Sequence, residues 1–185
     1  MPLDPTPAEL FPADGIAGER VRLRRFSADD ITVRYLEWLG DQETLRFSNQ
    51  RFRRYDALSA RAYLDSFSGT ANLFLAICDR VSGDIIGTMT AYCSVPHETA
   101  DVGILIGARE RWGQGLGRDA WCLMVEWLLD SAGVRKLTAG CAAGNRGMRR
   151  LMEAADMKHE ATRHGQEIID GAPHDLVYYA RFRDV

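Results

Sequence analysis

Lysine is nearly missing from this chain: of 23 basic residues only Lys136 and Lys158 are lysines, and neither stands in a Gly-Lys-Ser/Thr run. A nucleoside-triphosphate loop requires that run, so this class of phosphate site is excluded. The four cysteines, Cys78, Cys93, Cys122 and Cys141, show no Cys-x-x-Cys spacing, and the four histidines are scattered. No metal site is therefore expected. A formal net charge of −3 argues against generic nucleic-acid binding. No apolar run approaches the roughly twenty residues that span a bilayer, and no secretory leader pattern is present. The expectation is a cytoplasmic protein, free of membrane, with reduced cysteines in its core.

At 185 residues and 46% hydrophobic, the chain can bury one substantial core. Residues 1–18, rich in Pro, Ala and Asp, read as a loose arm with no role in the fold, and residues 19–185 as one domain. The most informative stretch is Arg111-Trp112-Gly113-Gln114-Gly115-Leu116-Gly117-Arg118. Before it, residues 102–106 form an apolar run that reads as a buried strand. After it, residues 119–129 place Ala120, Met124, Trp127 and Leu128 at helical spacing. Glycines between a strand and a helix let successive N–H groups and the helix start point at one anion. A dinucleotide fingerprint would need a third glycine where Arg118 stands, so that alternative fails as well.

Trp112-Gly113-Gln114-Gly115-Leu116-Gly117 resembles the pyrophosphate loop of the GNAT N-acetyltransferases, which bind acetyl-coenzyme A. A second stretch, residues 134–141 followed by Asn145 and an amphipathic run with Met148, Leu151, Met152 and Ala155 on one face, resembles the second signature of that family. The resemblance covers residues 20–182 and points to the ribosomal-protein-alanine N-acetyltransferase branch. It implies that Arg111, Trp112, Gly113, Gln114, Gly115, Leu116, Gly117, Arg118 and Asn145 contact acetyl-coenzyme A, Asn145 also being suited to cap its helix. It further implies that two strands splay so that the pantetheine arm lies along Ile104, Leu105 and Ile106, where a backbone N–H polarises the acetyl carbonyl. Met152 departs from the pattern. Many members carry there a tyrosine that protonates the leaving thiolate, and a thioether has no proton to give.

The remaining elements fit the same layout. Val21 and Leu23 alternate with arginines in a first strand, and Ser27-x-x-Asp30 reads as a capping box for a helix ending at Gly40. A second helix is expected over residues 56–68, anchored by Leu58, Ala62, Tyr63 and Phe67. Residues 72–78 and 85–92 form a hairpin, and Asp170-Gly171 marks another between residues 159–169 and 174–182. The order β-αα-βββ-α-β-α-ββ predicts an α/β domain whose mixed, mostly antiparallel central sheet is flanked by helices.

Acetyl transfer needs a neutral amine. An α-amine is neutral in about one molecule in ten at pH 7, so a modest base suffices. By resemblance Asp101 is the candidate, with Glu98 and His97 as alternatives and a solvated strand-end carboxylate as the plain reading. Arg46, Arg51, Arg53 and Arg54 lie in the segment that borders the acceptor site in the family, where they suit phosphate or carboxylate, or form a solvated basic face. The expected acceptor is a protein N-terminus or a nucleotide-linked amino sugar, and the protein a monomer or homodimer. The alternative is a GNAT-fold module that binds an acyl-coenzyme A without turnover.

Overall fold

A computed structural model describes residues 3–184. Its helices are α1 (Pro7–Leu10), α2 (Val33–Gly40), α3 (Ala57–Asp65), α4 (Leu116–Glu126) and α5 (Arg146–Ala154). Its strands are β1 (Ile16–Ala17), β2 (Val21–Arg25), β3 (Leu73–Asp79), β4 (Ile85–Ser94), β5 (Thr99–Ile106), β6 (Lys136–Ala142), β7 (Lys158–Ile169) and β8 (Ala172–Phe182). The strands make one sheet in the order β1-β2-β3-β4-β5-β6-β8-β7, antiparallel at every junction except β5–β6. This is the expected mixed α/β architecture. β3 reads Leu-Phe-Leu-Ala-Ile-Cys-Asp without polar alternation and is buried at every position, as a strand covered on both faces must be.

α4 turns Leu116, Ala120, Trp121, Met124 and Val125 into the core, and the chain continues through a π-helical turn, Trp127–Ser131, that buries Leu128 and Leu129. Asp119, in the first turn of α4, accepts backbone N–H bonds from Glu19, Arg20 and Val21. The start of β2 is thereby fixed to the helix that carries the glycine loop.

Three expectations are corrected. Residues 3–18 are built into the domain: Thr6 caps α1, β1 pairs with β2, and Leu3 and Phe11 are buried, Phe11 packing edge-on against Trp127 at 5.0 Å. The apolar residues spaced among the prolines are what anchor it. Met1 and Pro2 lie outside the described residues. The Ser27/Asp30 box closes a short 3-10 turn, Ala28–Asp30, while the helix starts later, at Val33, with Thr32 as its N-cap. Asp30 is engaged by the Arg24 guanidinium at 2.7 Å and 2.8 Å, which holds the turn beside β2. α3 ends at Asp65, and Leu58 is 79% exposed, because Asp56 caps the helix in a phase that turns Leu58 to solvent and buries Ala60.

The C-terminal hairpin forms as expected, with Asp170 and Gly171 both at positive φ, 51° and 79°, as a tight type I′ turn requires. Among the described residues no helix is long and apolar enough to cross a membrane, and no cluster of metal-ligating side chains occurs. All four cysteines are free thiols. Burial pushes Cys93 up to about 12 and Cys141 up to about 11, so both stay protonated at neutral pH.

Candidate active site

β5 and β6 pair in parallel only at Thr99–Lys136, Ala100–Leu137 and Asp101–Thr138. Beyond those pairs they diverge, whereas β5 stays paired with β4 as far as Ile106. The β6-facing edge of residues 102–106 is therefore left without a strand partner, and a cleft of about 870 Å³ opens there. Its lining contains Asp101, Ile104, Leu105, Ile106, Arg111, Trp112, Gly113, Gly115, Leu116, Gly117, Arg118 and Asn145. These residues come from both signatures of the sequence, so the fold brings the expected cofactor set together with one exception. Gln114 turns away, its amide nitrogen donating to the Glu110 carbonyl at 2.8 Å.

The glycine loop is held from both sides. Trp112 Nε1 donates to the carbonyl of Ile106 at 2.8 Å, which ties the loop to the last residue of β5. Arg20 donates to the Gln114 carbonyl from the far side. Gly113 and Gly115 sit at φ 74° and 81°, and Gly115 is the N-cap of α4. A side chain there would cost about 1–2 kcal/mol in strain alone. Nothing lies within 4 Å of where a Cβ on Gly113 would stand, so the backbone faces open space. Open amides at a helix start, two glycines that permit close approach, and the uncompensated edge of β5 together fit a phosphate-bearing thioester cofactor with an amide-containing arm. Thr44 Oγ1, in the same cleft, is buried without a hydrogen-bond partner.

The two arginines of the loop differ. Arg111 is 3.1 Å from Asp79, whose carboxylate also accepts the N–H groups of Val81 and Ser82, bonds that hold its pKa below the usual range. Arg111 thus faces a permanent anion. Arg118 has no ion pair with any described carboxylate. Asn145 accepts the Met148 N–H at 3.0 Å as the N-cap of α5 and lines the cleft as well.

Strand alternation sorts the rest of the cleft. Val102 and Ile106 point toward α4: Val102 is buried, and a Cβ on Gly117 would be 3.3 Å from Ile106 Cγ1. Asp101, Gly103 and Leu105 occupy the opposite face of β5. There Asp101 Oδ2 accepts the Thr138 hydroxyl at 2.7 Å. Asp101 is in contact with solvent, yet the cleft walls crowd its carboxyl, and this desolvation raises its pKa while the Thr138 bond opposes the rise. The partner strand β6 leaves room by carrying Gly140, where a Cβ would lie 2.8 Å from the ring of Tyr178.

Glu98 and His97 are outside the cleft lining, in the turn that precedes β5, with Glu98 at φ 53° and its carbonyl accepting the Arg135 N–H at 2.7 Å. Arg46 and Arg51 are also outside it. Arg46 pairs with Asp170 at 2.8 Å and Arg51 donates to the Ile168 carbonyl at 3.0 Å, so both fasten the 41–55 segment to the β7–β8 hairpin. Arg53 and Arg54 line a second cavity of about 320 Å³, which shares Ser48, Gly103, Ile104 and Leu105 with the cleft. Met152 is fully buried and is not part of the cleft lining. The hydroxyls that do line it belong to Thr44, Ser48 and Tyr178, none singled out by the sequence because their neighbours in space are distant in the chain.

A sheet parted beside a glycine loop at a helix start defines a class of acyl-coenzyme A-binding folds. The profile of the acetyltransferase (GNAT) domain matches residues 20–158, and the chain belongs to that family. Among solved structures it is similar to a ribosomal-protein-S5-alanine acetyltransferase from Vibrio fischeri, with 17% identity, 91% of this chain and 96% of that one covered, and a TM-score of 0.75. It is similar also to a spermidine N-acetyltransferase from Vibrio cholerae in complex with coenzyme A and spermine, at 17% identity, 89% and 96% coverage, and a TM-score of 0.76. A microcin C7 self-immunity acetyltransferase in complex with acetyl-coenzyme A and AMP gives 14% identity, 94% and 99% coverage, and a TM-score of 0.79. No curated protein matches the chain in sequence.

Proposed function

We propose that this chain is an acetyl-coenzyme A-dependent N-acetyltransferase acting on a primary amine. The observation that carries the reading is the parting of β5 from β6 immediately after Asp101, with the glycine loop at the far end of the same cleft. Acetyl-coenzyme A supplies an acetyl group activated as a thioester. The amides of residues 113–118 and the Arg118 guanidinium would hold its pyrophosphate, and the free edge of residues 104–106 its pantetheine arm. A backbone N–H near Leu105 or Ile106 then faces the acetyl oxygen. Asp101 takes the proton from the attacking ammonium, directly or through water. Crowding raises the pKa of its carboxyl and so makes the carboxylate a stronger base than one in water. Glu98 and His97 stand outside the cleft, which leaves Asp101 as the preferred base.

The acceptor classes that suit the family likeness are a protein N-terminus and a nucleotide-linked amino sugar. A second reading is a non-catalytic acyl-coenzyme A sensor, favoured by Met152, which offers no acidic proton. Tyr178 answers part of that objection, since its phenol lines the cleft on the Asp101 face. Thiol release from acetyl-coenzyme A, with peptide amines, nucleotide amino sugars, aminoglycosides and polyamines in turn, separates the two. Release that depends on an amine and yields its acetylated product is expected; tight coenzyme A binding with no release for any amine supports the sensor.

A further inference from the structure

The second cavity, of about 320 Å³, joins the cleft at Gly103, Ile104 and Leu105, of which Gly103 and Leu105 lie on the β5 face that also carries Asp101. Its opposite wall comes from α2, α3 and the 41–55 segment, and Tyr35, Tyr55 and Tyr63 are among the residues lining it. The distribution of charge is uneven. Among the described residues lining the cavity there is no carboxylate, and there are two guanidiniums, Arg53 and Arg54. Neither forms an ion pair with any described carboxylate. The carboxylates Glu43, Asp101 and Glu167 all line the larger cleft instead.

Two further polar atoms of the cavity are buried. Gln50 Oε1 has no hydrogen-bond partner, although buried polar atoms are nearly always satisfied, and Tyr55 OH has the Arg53 guanidinium beside it. Burial keeps the Tyr55 phenol protonated, against the pull of the nearby Arg53 charge, so it is a donor. A cationic ligand body would meet two like charges here and no counter-ion. An anionic one would meet two guanidiniums, a phenol donor and an aromatic wall.

We infer that the acceptor is a dipolar amine: an ammonium that reaches Asp101 over Gly103, an aromatic or apolar body against Tyr35, Tyr55 and Tyr63, and a carboxylate or phosphate at Arg53 and Arg54. This rests on the acetyltransferase reading, and it names the substrate class that reading leaves open. Polyamines are excluded as good acceptors.

The test uses amines matched in shape and differing in the charge of one substituent: benzylamine, para-(aminomethyl)benzoate, para-(aminomethyl)phenylphosphonate and para-xylylenediamine. Amine-dependent thiol release is measured for each with the parent and with Arg53→Ala/Arg54→Ala, whose exposed side chains can be removed without opening the core. Binding of the same amines to the coenzyme A-loaded protein is measured by calorimetry. At least one anionic amine should exceed benzylamine and the diamine in kcat/KM by about tenfold or more, and the double variant should lose that preference while still acetylating benzylamine. The carboxylate and phosphonate arms show which anion is preferred. Equal or better use of the neutral or dicationic amine overturns the inference, as does a preference that survives in the double variant. Selective binding of the anionic amines without thiol release keeps an anion subsite at Arg53 and Arg54 but overturns the transferase reading and, with it, the occupant's role as acceptor; thiol release with binding that is not selective overturns the inference alone.

Discussion

The two sides of the cleft are built by different means. The cofactor side is local: β5, the glycine loop and α4 follow one another, β6 and α5 do the same, and the groups that matter are mostly backbone amides fixed by helix and strand geometry. The side proposed for the acceptor is assembled over long distances. The 41–55 segment is joined to the β7–β8 hairpin by Arg46 to Asp170, Asn49 to Glu167 and Arg51 to Ile168, contacts separated by 124, 118 and 117 residues. A site made of backbone tolerates most side-chain changes except at its glycines. One made of paired side chains can be retuned residue by residue, which is how a family can keep its cofactor and vary its acceptor.

The sharpest way to break this contrast is at Gly115. Gly115→Val forces a β-branched residue into φ 81° and sets a Cβ about 3.3 Å from the Arg20 guanidinium. With the amides displaced, coenzyme A affinity by calorimetry should fall about 10²-fold, at a cost in fold stability of about 1–2 kcal/mol. Equal affinity of the parent for coenzyme A and for its pantetheine fragment would remove the phosphate cradle from the account.

A smaller effect is expected at Asn145. Asn145→Ser keeps a capping oxygen, so the melting temperature should hardly move, while KM for acetyl-coenzyme A rises about threefold to tenfold. An unchanged KM would leave this side chain with the cap alone. Smallest of all is Arg46→Ala. The pair is half-exposed at both ends, 47% and 62%, so stability should drop by less than about 1 kcal/mol. The change should appear in KM for the amine and leave coenzyme A binding alone; the reverse pattern would show that the two sides are not separate.

The same contrast explains what the sequence could tell. The strand–glycine–helix unit, the Asn145 cap and the Asp170-Gly171 turn are legible because each is specified within a few residues. Asp156, just past the end of α5, takes a left-handed φ of 56°, a conformation aspartate adopts at modest cost. The arginines of residues 46–54 were visible as a group, yet nothing local tells that Arg46 and Arg51 are spent on the hairpin while Arg53 and Arg54 line a cavity. Tyr178 escaped for the same reason, since its place depends on Gly140 across the β6–β8 pairing. The N-terminal segment looked loose by composition because its few buried residues, Leu3 and Phe11, are separated by prolines.

The central claim is that Asp101 is the base of an amine acetylation carried out in this cleft, and a pH–rate profile of Asp101→Asn beside the parent tests it most directly. Because burial raises the folded-state pKa, the carboxyl's contribution to stability is complete below the ordinary carboxylate value and is lost as pH rises through the raised one. The asparagine variant should therefore melt no lower than the parent at neutral pH, and any loss of rate is not a loss of fold. The parent's rate should rise with pH through that raised pKa, and the variant should lack this limb. Near neutral pH the account predicts turnover lowered about 10²-fold with cofactor affinity unchanged, the deficit shrinking as pH approaches the amine's own pKa. A variant that matches the parent from about pH 6 to about pH 9 would contradict it.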